Sequence, residues 1–155
     1  ADEICACLVG RITEAVKQEI GDIPLMVKLA YIPSDDALEL MVRSTVGHGT
    51  VQGFSTINTI SAKLVDANGN QALPGAGRDH SGVCGNAIRG AGLDMVARLA
   101  AIREKLGLDF AINGVGGVVS PADYQAYRDA GADSVMSATG AMWDAELAHK
   151  IKASR

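Results

Sequence analysis

Aromatic residues make up only 4% of the 155 positions, which excludes a broad stacking surface for bases or sugar rings. Positive charge is not in excess either. Against 14 Lys and Arg stand 18 Asp and Glu, a net charge of −4, and this argues against a general nucleic-acid binder. No apolar run approaches the ~20 residues needed to span a bilayer, and no stretch has the pattern of a signal peptide, so a cytoplasmic location is expected. Cysteine is scarce and odd in number. Cys5, Cys7 and Cys84, with a Cys-Ala-Cys spacing, describe neither a disulfide framework nor a zinc ribbon. His48, His80 and His149 are scattered without ligand spacing, so no metal site is expected.

What remains is an aliphatic, glycine-rich chain, 48% hydrophobic with 18 glycines, suited to a packed core with many tight turns. Its organising stretch is Asn113-Gly114-Val115-Gly116-Gly117-Val118-Val119-Ser120. The apolar run at 108–112 reads as a buried strand, and Ser120-Pro121 as a helix N-cap followed by proline in the first turn. A glycine turn between strand and helix lets backbone N–H groups converge on a ligand, and the helix N-terminus adds partial positive charge, so a phosphate is the expected ligand. The dinucleotide fingerprint fails because its third glycine would fall at Val119, and the P-loop fails because no Gly-Lys-Ser/Thr follows. A second unit, Gly131-Ala132-Asp133-Ser134-Val135-Met136-Ser137, runs into Ala138-Thr139-Gly140 and a helix from about Trp143. Two such units in succession match the phosphate site that (β/α)8 barrels build after their last two strands.

Earlier in the chain, Ile4, Leu8, Ile12, Val16 and Ile20 recur every four residues, predicting a helix that buries this stripe. The segment 25–30 reads as a strand buried on both faces except at Lys28. That lysine either snorkels to water at the strand's mouth or faces an anionic ligand. Ser34-Asp35-Asp36 caps a second helix with Leu38, Met41, Val42 and Thr45 or Val46 inward. The strand at 51–57 ends in Asn58-Thr59, side chains able to hydrogen-bond a ligand. Residues 61–81 are too long for a routine loop and predict a hairpin or lid beside the site. Ser81-Gly82-Val83-Cys84-Gly85-Asn86 then turns into a helix with Leu93, Val96, Ala97, Ala100 and Ile102 inward, and a last helix is expected to bury Trp143, Leu147 and Ile151. The order is a helix followed by about four strand–turn–helix repeats. This is an α/β chain of parallel strands alternating with helices, the C-terminal half of a (β/α)8 TIM barrel and one partial domain over 1–155, since a full barrel typically needs about 250 residues.

Five motifs in this order resemble the dihydroorotate dehydrogenase family, and the related flavin domain of dihydropyrimidine dehydrogenase. They are Val27-Lys28-Leu29, Ile57-Asn58-Thr59-Ile60, the segment 81–89, Gly114-Val115-Gly116-Gly117-Val118, and Gly131-Ala132-Asp133-Ser134-Val135 with Ala138-Thr139. The resemblance implies an FMN-dependent oxidoreductase of pyrimidine biosynthesis that oxidises dihydroorotate to orotate. It implies that Lys28 lies beside the flavin's N1/C2 carbonyl edge, stabilising charge as hydride arrives, with Ile57 against the flavin. Asn58 and Thr59 would hold the pyrimidine; Gly85, Gly116, Gly117, Ala138 and Thr139 would approach FMN, the last four around its phosphate. Ala138 and Gly90 depart from the family pattern, which usually has glycine and proline there. The family's catalytic base, a Cys or Ser on the loop after strand four, would lie before Ala1. No catalytic base is therefore assigned within the chain, neither Cys5 nor Cys7 is taken for it, and turnover by the chain alone is left open. The expected partner is an N-terminal half barrel or a second copy covering the open sheet edges. Two alternatives stand beside this one: a non-catalytic half-barrel module that binds phosphate or flavin and self-associates, and a phosphate-binding barrel without flavin.

Overall fold

Short aliphatic runs bounded by turn residues become the strands of one parallel sheet. The computed structural model describes residues 2–154, with side chains from Cys5 onward, so the inward placement of Ile4 lies outside the described residues. In chain order come α1 (Asp2–Ile20), β1 (Met26–Leu29), α2 (Asp35–Thr45), β2 (Gly53–Thr56), β3 (Ile60–Lys63), β4 (His80–Val83) and α3 (Arg89–Leu106). Then follow β5 (Ala111–Val115), α4 (Pro121–Asp129), β6 (Ser134–Met136), α5 (Thr139–Trp143) and α6 (Leu147–Ala153). The sheet order is β1-β2-β5-β6, with every pairing parallel. The stretch 61–81 is a hairpin as expected: β3 and β4 pair antiparallel, and Ile60 stands opposite Val83. Its tip is an Asx turn in which Asp66 Oδ1 accepts from the amides of Asn68 and Asn70 at 2.8 and 2.9 Å.

Phe54 and Ile112, adjacent in register, project into the helical layer and are fully buried with Leu38, Val42, Met95, Val96 and Leu99. Phe110 meets Phe54 edge to face, with ring centroids 5.4 Å apart. α2 is capped as read, Ser34 Oγ accepting from the Ala37 amide, and Leu38, Met41, Val42, Thr45 and Val46 are all buried.

Four expected burials are not observed. On α1 the stripe turns outward: Leu8 and Ile12 are just over half exposed and Val16 more than a third, whereas Ala6 and Thr13 are buried. Small residues decide this, because they let α1 and α2 approach closely. A Cβ on Gly10 would stand 2.7 Å from the Ser44 carbonyl oxygen, Ser44 Oγ donates to the Ala6 carbonyl at 3.2 Å, and the Thr13 and Thr50 hydroxyls meet at 3.0 Å. β1 is an edge strand, so only Leu29 is buried and Met26 is exposed. The last helix is split into α5 and α6 at Asp144, which accepts from Lys150 Nζ at 2.6 Å, leaving Trp143 86% exposed while Leu147 is buried. Ala97 of α3 also faces outward, though Val96 and Ile102 are buried as expected. No helix among the described residues is long and apolar enough to cross a membrane.

Candidate functional site

A parallel sheet gathers the ends of all its strands on one side, and there the chain forms a cavity of about 370 Å³, within the range of small-molecule pockets. β1 contributes Lys28. The segment leaving β2 contributes Ile57, Asn58 and Thr59, and the turn after β4 contributes Gly85. The turn after β5 contributes Gly116 and Gly117, and the segment after β6 contributes Ala138 and Thr139. All nine residues singled out from the sequence therefore share one cavity. The wall also contains Cys84, Asn86, Ile88, Val115, Val118, Val119, Met136, Ser137, Gly140 and Trp143. Of these, Asn86 and Ile88 lie in the segment 81–89 and Ser137 closes the second glycine unit, but their places in the wall are set by the fold.

The two terminal turns are bound to each other and to the turn after β4. Ser137 Oγ donates to the Val118 carbonyl at 2.7 Å, joining the segments after β5 and β6. Gly117 has φ +68, and a Cβ there would stand 2.9 Å from Asn86 Cα and 3.0 Å from the Gly85 carbonyl oxygen. The amides of Gly116, Gly117 and Val118, and of Ala138, Thr139 and Gly140, enter no hydrogen bond among the described residues. They border one end of the cavity as donors for an anion.

The start of α4 differs from the expectation. Its capping groups are consumed internally: Asp123 Oδ2 accepts from the Val119 amide at 3.2 Å and from Ser120 Oγ at 2.8 Å, while Ser120 Oγ accepts from the Asp123 amide. Asp123 also pairs with Arg89 Nη1, across from the turn after β4. The donors open to a ligand are thus the glycine-turn amides rather than the first turn of α4. Ser120 and Asp123 are legible as a capping box; the Arg89 partnership is not. Burial pushes the Asp123 carboxyl up, but the bonds from Ser120 and Val119 and the Arg89 guanidinium outweigh it and hold the group below the usual carboxylate range.

Because the folded pKa is depressed, the stabilisation is complete above the ordinary carboxylate value of about 3.9 and is lost as pH falls through the lower folded value. Replacing Asp123 by Ala should cost about 2 kcal/mol at pH 7, the scale of hydrogen bonds to a charged group trimmed by solvent around Arg89. Urea titrations at pH 7 and in acid check this. The difference between parent and variant should shrink in acid, and a pH-independent gap would remove the carboxylate from the account.

Tyr127 supports the same turn. Its buried hydroxyl donates to the Gly116 carbonyl at 2.8 Å, and burial pushes the phenol up to about 12, keeping it a neutral donor. The side chain of Lys28, an exposed residue of the edge strand, makes no hydrogen bond and no ion pair among the described residues. It is a cation in the cavity wall with no protein anion to satisfy it. These features fit FMN: turn amides with no protein acceptor for a phosphate, an unpaired ammonium, and aliphatic Ile57 and Val115 in the same cavity wall.

The dihydroorotate dehydrogenase family model matches residues 7–154. Dihydroorotate dehydrogenase of Dictyostelium discoideum is 36% identical over 129 residues, covering 83% of this chain and 35% of the relative. Dihydroorotate dehydrogenase (quinone) of Polaromonas naphthalenivorans is 33% identical over 166 residues, covering 100% and 44%. The corresponding protein of Methylibium petroleiphilum is 33% identical over 147 residues, covering 92% and 40%. The chain thus spans well under half the length of these relatives. With the family model matching nearly its whole length and relatives at 33–36% identity, the chain belongs to the dihydroorotate dehydrogenase family.

Proposed function

We propose that these residues form the FMN-phosphate half of the active site of a dihydroorotate dehydrogenase-type oxidoreductase, which converts dihydroorotate to orotate. The observation that carries the reading is the convergence of an unpaired lysine and two glycine turns with free amides on one cavity. FMN bound there would supply the hydride acceptor. The chain's own part is positional. Gly116, Gly117, Ala138 and Thr139 would bind the phosphate, Lys28 would hold positive charge beside the ring, Ile57 would pack against it, and Asn58 and Thr59 would orient the pyrimidine.

In this reading the four-stranded sheet is the second half of a (β/α)8 barrel. β1 and β6 are its open edges, and Met26 and Met136 are exposed where a barrel interior would cover them. The outward stripe of α1, Leu8, Ile12 and Val16, is the apolar surface that the preceding barrel half, or a second copy, would bury.

Titration of the chain with FMN is the direct test. The expected result is saturable quenching of flavin fluorescence, with a bound visible spectrum and competition by inorganic phosphate. Phosphate binding without flavin uptake would replace this reading by that of a flavin-free phosphate barrel.

A further inference from the structure

Glycine within a helix or a strand weakens it, so two glycines facing one side chain point to a need for room. Gly92 lies near the start of α3 and Gly114 in β5, and neither has a positive φ that would itself call for glycine. What both face is Tyr127 of α4. A Cβ on Gly92 would collide with its hydroxyl, and one on Gly114 with its ring. The side chain is fully buried there, and its hydroxyl ends on the Gly116 carbonyl at 2.8 Å. Burial keeps the phenol protonated, so the hydroxyl donates and the carbonyl accepts.

The peptide that this bond grips joins Gly116 to Gly117 and is trans. In a planar trans peptide the C=O and the following N–H point in opposite directions. With the Gly116 carbonyl drawn onto the buried phenol, the Gly117 N–H is turned away from it and meets no acceptor among the described residues. Gly116 and Gly117 both belong to the cavity wall. A peptide between two glycines is otherwise easy to flip, because neither flanking residue carries a Cβ to obstruct rotation. A flip here would leave the buried phenol without its acceptor and would present a carbonyl oxygen, which repels anions, in place of the amide.

We propose that Tyr127 is a positioning residue: its hydroxyl locks the Gly116–Gly117 peptide so that the Gly117 N–H stays available to an anion in the cavity. Gly92 and Gly114 serve the same lock by clearing its path. The inference rests on the phosphate-site reading for what the amide binds, but not for whether the peptide is held.

Tyr127→Phe keeps the ring and removes only the hydrogen bond. In the ligand-free chain, the 15N–1H residual dipolar coupling of Gly117 reports the direction of its N–H. It should fall toward an averaged value in Tyr127→Phe, while the couplings of α3 and α4 stay unchanged and show that the variant is folded. An unchanged Gly117 coupling in the folded variant overturns the proposal whether or not any ligand binds. In titrations followed by the Gly117 amide shift, inorganic phosphate should bind the variant about tenfold more weakly than the parent, the scale of one charge-assisted hydrogen bond. FMN should lose the same factor. Riboflavin, which has the ring without the phosphate, should bind parent and variant alike. An equal loss for riboflavin would mean a general disturbance of the cavity and would also overturn the proposal. No uptake of FMN by the parent chain would refute the flavin reading, and the Gly117 coupling would still decide the inference.

Discussion

Gly117→Val should leave the helices intact and abolish retention of FMN. The position has φ +68, which a β-branched residue adopts only with strain, and the space a Cβ would need is already taken. Its nearest neighbours would be Arg89 Cβ at 2.8 Å, Asn86 Cα at 2.9 Å and the Gly85 carbonyl oxygen at 3.0 Å. Two of these are backbone atoms, so relief requires the turn after β5 to move away from the turn after β4. At Gly116 a Cβ meets side-chain atoms of Ile88 and Tyr127 at 3.3 Å, but φ +131 is closed to a β-branched residue, so Gly116→Val should disturb the same turn through backbone strain. Losing the converged amides should lower flavin affinity by at least about 100-fold, two to three kcal/mol of charge-assisted hydrogen bonding. Flavin content after dialysis, read beside far-ultraviolet circular dichroism, checks this. Equal flavin in parent and variant would move the phosphate site elsewhere.

The second large effect concerns chemistry. These 155 residues, even with FMN bound, should not oxidise dihydroorotate at an enzymatic rate, and joining them to the preceding barrel half should restore turnover. Oxidation needs a base to take a proton from substrate carbon while hydride leaves. Of the groups in the cavity wall, an ammonium has no lone pair to offer, and the Asn58 amide and Thr59 hydroxyl are not basic near neutral pH. Loss of a general base typically costs about 10²–10⁴ in rate, before lost substrate contacts are counted. Stopped-flow reduction of bound FMN by dihydroorotate, with and without the first half supplied, measures the difference. Fast bleaching by the 155 residues alone would show that a base resides within them. Cys84, an exposed thiol in the cavity wall, would be the first to replace.

Both predictions draw on features of different legibility. The cavity wall was readable because its chemistry depends on neighbours in sequence: a strand, a small-residue turn at its end, and a cap beginning the next helix. Ser34 and Ser120 cap the helices that their sequences predict. The hairpin between Ile60 and Val83 follows from a loop too long to be idle and an Asp-x-Asn-Gly tip. The buttresses behind the wall were not readable. Arg89 and Asp123 lie 34 residues apart, and Tyr127 looks like any helical aromatic until its hydroxyl is seen on the Gly116 carbonyl.

Periodicity misled at α1 for the same reason. A four-residue stripe states that one face is apolar, not that a partner for it is within these residues. Gly10, Thr13 and Ser44 instead allow a close small-residue contact with α2, which turns Leu8, Ile12 and Val16 outward. By itself the sequence determined the succession of strands and helices, the glycine turns, and the gathering of Lys28, Asn58, Thr59 and the phosphate-type residues at strand ends. Those follow from backbone sterics and capping, which act over a few residues. Only the tertiary structure decided which helix face is covered, which side chains brace the turns, and that Lys28, Ser55, Asn113 and Ser134 stand in one row. Strand register makes that last choice, because a slip of one residue would send each side chain to the opposite face of the sheet.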